Sequence, residues 1–163
     1  MKTKRLEILE NSLIKKNDLF DEKLNNHFET VKQANGQPLN DKRNGQATLN
    51  KWDRQNESLL NLKESIEKTK RAIDNEQGKI FGVEATKKIL PKEILEMLKS
   101  GQLIQWRKHP RIFFVKDVDK ARIVWDIKKK IIAHKYSNTI TDKQQWKTFA
   151  KTYNILNAAL NSH

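Results

Sequence analysis

The sequence contains no cysteine, which removes disulfide frameworks, thiolate metal sites and cysteine nucleophiles together. Proline and glycine are scarce, three and five residues in 163, so long uninterrupted helices are open to the chain. Apolar runs are short. The stretches 112–115 and 131–133 fall far below the roughly 20 residues of a membrane helix. No apolar segment follows Met1, because Lys2, Lys4, Arg5, Glu7 and Glu10 crowd the start; a secretory signal is not expected, and a cytoplasmic location is. No glycine-rich phosphate loop, dinucleotide fingerprint or nucleophile elbow is present, and His27, His109, His134 and His163 show no paired spacing. The expectation is a protein with no catalytic residues, no cofactor, no metal and no small-molecule substrate.

What the chain has is charge, unevenly placed. The net charge is +13, from 33 basic and 20 acidic residues. Residues 1–46 carry 9 basic and 7 acidic side chains, residues 47–81 carry 7 and 6, and residues 82–163 carry 17 and 7. The excess therefore belongs to the second half. Such asymmetry is the electrostatic footprint of a domain that binds a polyanion, although a lysine-rich solvated exterior gives the same total. Only 36% of residues are apolar and 33% are charged, which favours a thin, elongated body over one thick globule. The six Phe, four Trp and two Tyr argue against disorder.

Periodicity separates the two halves. Leu6, Leu9, Leu13, Phe20, Leu24, Phe28 and Val31 recur on one helical face and predict a helix over about 4–34. The stretch 34–46 gathers Gly, Pro, Asn and Asp, the residues of a tip loop. A second helix is predicted from near Gln46, where Trp52, Leu59, Ile66, Ile73 and Ile80 repeat at a spacing of seven and Leu49 and Leu62 widen the seam. A strict seven-residue repeat asks for a helix alongside. The first helix, folded back, supplies it, and each arm reaches roughly 45–50 Å. Gln55, Thr69 and Glu76 stand where a strong coiled coil places leucine, which leaves room for a homodimer through the hairpin. His27 reads as a further seam residue.

After Gly82 the pattern changes. Pro91 and Gly101 bracket a short helix over 92–99. Segments 103–107, 111–115, 121–127 and 131–136 are rich in branched and aromatic residues and read as strands. In the third of these, Ala121, Ile123, Trp125 and Ile127 alternate with Arg122, Val124 and Asp126, giving one buried and one mixed face. Thr141 and Gln144 have the spacing of a capping box. The stripe Trp146, Phe149, Ala150, Tyr153, Leu156 and Leu160 follows and suits a helix laid over the sheet. The fold expected is α+β: a coiled-coil-like helical hairpin over 1–83, then a small domain over 84–163. That domain is a meander of three or four antiparallel strands under a C-terminal helix.

Arg107, Lys108, His109 and Arg111 surround the first predicted turn, and Lys128, Lys129 and Lys130 occupy the third. Lys116, Lys120, Arg122 and Lys135 lie on or beside the strands between. Alternate turns of a meander share one end of the sheet, so the first and third turns bring like charges together where phosphate suits them. Trp106, inside the basic turn, can stack on a base or face inward. Trp125 and Trp146 are expected inside. Lys42 and Arg43 mark the hairpin tip as a second contact site, and Trp52, Leu59, Ile66 and Ile73 as an interaction seam. Asp126-Ile127-Lys128 with Asp117 or Asp119 has the outline of a metal-nuclease motif, but so short a pattern recurs by chance in a lysine-rich chain.

The leading expectation is a nucleic-acid-binding accessory protein, its partner DNA, RNA or a nucleoprotein complex. The alternative is an adaptor or inhibitor of the kind common among phages and mobile elements, docking on an acidic surface. A metal-dependent nuclease is the remote third reading.

Overall fold

The computed structural model describes residues 2–35, 37 and 45–160. The expected tip loop, with Lys42 and Arg43, lies largely outside them, as does His163. The chain divides into two compact units, Met1–Gln77 and Gly78–His163.

The first unit is a helical stem. Helix α1 (Lys4–Gln33) starts where the Thr3 hydroxyl accepts the Leu6 amide at 3.2 Å, satisfying one of the donors a helix start leaves open. It stops at Asn35, whose φ of 53° is left-handed, a common helix ending. Helix α2 (Gly45–Lys87) is the second arm. Leu59, Ile66 and Ile73 are buried and Trp52 half-buried. On α1 the covered positions recur at 6, 13, 20, 27 and at 9, 16, 23, 30. Phe28, expected in the seam, is 58% exposed, while His27, also expected there, is half-buried. The seven-residue step outranks residue type here, because only that step follows a neighbouring helix.

The polar seam positions are not defects. Gln55 Oε1 accepts the Thr30 hydroxyl at 2.9 Å and lies 3.0 Å from His27 Nδ1. Lys23 Nζ donates to Ser58 Oγ at 2.6 Å, Lys16 Nζ to Thr69 Oγ1 at 2.7 Å, and Thr3 Oγ1 to Glu76 Oε1 at 3.0 Å. As the α1 number rises the α2 number falls, so these bonds fix an antiparallel alignment. A shift of either arm leaves buried polar groups unpaired, at about 1–3 kcal/mol each.

The second unit is α+β. The last residues of α2 run through Gly82, after which the sequence pattern changes, and past the expected hairpin boundary at 83 to reach Lys87; a helical glycine costs only about 1 kcal/mol relative to alanine. Helix α3 (Lys92–Lys99) follows Pro91 and ends before Gly101, φ 75°. Strands β1 (Leu103–Gln105), β2 (Ile112–Val115), β3 (Arg122–Asp126) and β4 (Ile131–Lys135) pair in chain order, antiparallel throughout. Helix α4 (Lys143–Leu160) covers one face. Its cap is Asp142 rather than Thr141, since the Asp142 carboxylate accepts the Gln145 amide at 2.7 Å.

Alternation decides which side chains meet α4. Leu103, Phe113, Val115, Ile123, Trp125 and Ile132 are buried with Phe149, Leu156 and, from α3, Ile94. Trp146, expected among them, is 54% exposed. In that first helical turn Gln145 faces the body instead, exchanging hydrogen bonds with the Asp119 amide (2.9 Å) and carboxylate (3.2 Å).

Candidate nucleic-acid interface

The strand register brings the basic turns together. Ile112 pairs with Val124, and the Trp125 amide donates to Arg111 O at 2.9 Å, so the 106–111 turn lies beside the end of β3. The 127–130 turn follows directly. Lys108, His109 and Arg111 from one and Asp126 and Lys128 from the other line a common cleft of about 590 Å³. Among the described residues no ion pair involves Lys108, Arg111, Lys128, Lys129 or Lys130. With Asp126 the one carboxylate lining the cleft against three cations, the like charges raise the local potential and favour a bound anion.

Residues 103–136 contain ten Lys and Arg against three Asp, and two of those carboxylates are already engaged. Asp126 Oδ1 accepts the amides of Lys128 at 2.9 Å and Lys129 at 3.1 Å, an Asx turn that shapes the basic loop. The Lys129 amide, then that of Lys128 and the two nearby ammonium groups, hold its pKa below the ordinary carboxylate value. Asp119 is paired with Gln145. Asp117 and Asp119 precede β3, whereas Asp126 closes it. Five strand residues span about 16 Å, well outside the reach of one shared metal. Among the described residues no cluster of three potential metal ligands occurs.

The remaining expected contacts fall elsewhere on the same unit. Lys116 and Lys120 sit at the opposite end of the sheet, in the turn after β2. His134 packs its ring edge against Tyr153, centroids 5.1 Å apart, and lies 3.0 Å from the Ser137 hydroxyl. Arg122 and Lys135 are direct cross-strand partners on the face α4 leaves open. Trp106 also lies there, half-buried.

No family model, curated protein or solved structure matches this chain. Its chemistry is therefore read from its own geometry.

That geometry includes residues the sequence pattern did not single out. On the open face Phe114 is the cross-strand partner of both Ile104 and Arg122. The Arg122 guanidinium carbon lies 4.5 Å from the centroid of Trp106 and 5.3 Å from those of Phe114 and Tyr136, a spacing at which aromatic faces attract a cation. Strict alternation after Lys135 turns Tyr136 towards α4. A left-handed backbone at Tyr136, φ 61° and ψ 22°, breaks the pleat and brings its ring to Arg122. The adjacent phenylalanines 113 and 114 gave a signal, since one of any such pair must face away from the core. The Tyr136 reversal gave none.

Proposed function

We propose that the second unit binds nucleic acid and that the protein acts as a non-catalytic accessory factor, with the stem orienting or pairing copies of it. One observation carries the reading: two basic turns from separate stretches of sequence line one cleft, and among the described residues five of their cations form no ion pair. Backbone phosphates fit such an array, and each phosphate neutralised releases condensed counterions. The turn residues set affinity and register and carry no base code.

The test is an anisotropy titration of the full chain with labelled oligonucleotides at two salt concentrations. Between about 50 and 200 mM salt, three phosphate contacts lower the binding constant by roughly 20- to 40-fold, and each added contact lowers it further. An affinity that does not move over this range rejects the reading.

A further inference from the structure

We propose that the open face of the sheet is a stacking platform for unpaired bases, so that the nucleic acid bound is single-stranded. This rests on the phosphate-binding reading above and deepens it. Three aromatic rings, Trp106, Phe114 and Tyr136, surround one guanidinium on this face. Tyr136 and Ile104 are each 54% exposed, and Phe114 and Trp106 are half-buried. The face opposite, under α4, holds the core, so these rings are not needed to close it.

Charge complementarity selects the occupant. Lys135 stands beside Arg122 in the cross-strand row, and His109, at the lip of the basic cleft, meets the Trp106 ring edge-on with centroids 4.5 Å apart. A strand whose phosphates follow the cleft cations thus has its bases within reach of the rings. Arg122 Nε is buried with no hydrogen-bond partner, so the guanidinium holds its positive charge among the rings and adds to the attraction for a base stacked on them. Duplex nucleic acid offers no free base faces, whereas every unpaired base has two, which makes stacking tolerant of sequence.

The experiment compares three probes on the full chain: a single-stranded oligonucleotide, an abasic phosphodiester strand of the same length, and a duplex. The base-bearing strand binds about tenfold or more tightly than the abasic one, in keeping with stacking of one or two bases. Tyr136→Asn removes an exposed ring while keeping a residue that tolerates the left-handed backbone. It lowers affinity for the base-bearing strand at least about fivefold and leaves the abasic strand unchanged. Circular dichroism and an unaltered melting temperature confirm that the variant is folded. Equal binding of base-bearing and abasic strands, or preference for the duplex, overturns the platform and leaves the phosphate reading intact. Failure to bind any of the three overturns both.

Discussion

The two units treat polar groups in opposite ways. In the stem, Lys16, Lys23, His27 and Thr30 each meet a partner on the other arm, and the charges of residues 1–77 nearly balance. In the sheet unit, cations crowd one end around a single carboxylate, Asp126, and an arginine is held by rings on an open face. A satisfied polar group specifies how a chain pairs with itself, and an unsatisfied one specifies what the chain meets.

The largest effect that sharpens this contrast comes from charge removal. Replacing Lys108, Arg111, Lys128 and Lys129 by glutamine lowers nucleic-acid affinity on the order of a thousandfold at about 0.1 M salt and reduces the salt slope by about three. Removing Lys15, Lys32, Lys63 and Lys68 changes the net charge equally and leaves affinity within about threefold. Comparable losses from both variants mean that total charge alone drives binding, and the contrast fails.

Core truncations come next. Ile123→Ala and Ile66→Ala each cost about 2–5 kcal/mol in urea unfolding, yet only the first takes nucleic-acid binding with it. A smaller effect follows Gln55→Leu, which removes the acceptor shared by His27 and Thr30 and lowers stem stability by about 1 kcal/mol. Adding His27→Leu and Thr30→Val recovers that loss. The alignment becomes loose, and sedimentation of the full chain then shows mixed oligomers where the parent shows one species.

The smallest effect concerns Asp126. Its folded pKa lies below the ordinary 3.8, so its support of the third turn is complete above that value and is lost as pH falls through the lowered one. The amide shifts of Lys128 and Lys129 therefore titrate with a midpoint under 3.8, and this carboxylate supports the turn in full, with no pH dependence of its own, between about pH 5 and 8. A midpoint at or above the ordinary value removes the Asx turn from the account.

Much of the fold was legible because local rules and long-range packing agree in it. The seven-residue step from Trp52 to Ile73, the Pro91–Gly101 bracket and the alternation around Ile123 each follow from one periodicity. What was not legible depends on register between distant segments. Gln55, Thr69 and Glu76 look like flaws until the antiparallel alignment sets α1 partners against them. Phe28 and His27 were both expected in the seam, and only position 27 lies on the step of seven from Leu6, Leu13 and Phe20. The turn cations were readable from alternate turns sharing a sheet end. The ring cluster needed the Phe114, Arg122 and Lys135 register and the reversal at Tyr136.

The spacing of the seam bonds also sets an order of assembly. Thr30 and Gln55 are 25 residues apart in sequence, Thr3 and Glu76 73. Closing the longer loop first costs about 1 kcal/mol more in chain entropy, so nucleation belongs beside the tip and the stem zips towards its free end. A misaligned start meets an unpaired glutamine before the leucine-rich portion can trap it, and proofreading of the hairpin is thereby written into the first contacts it makes.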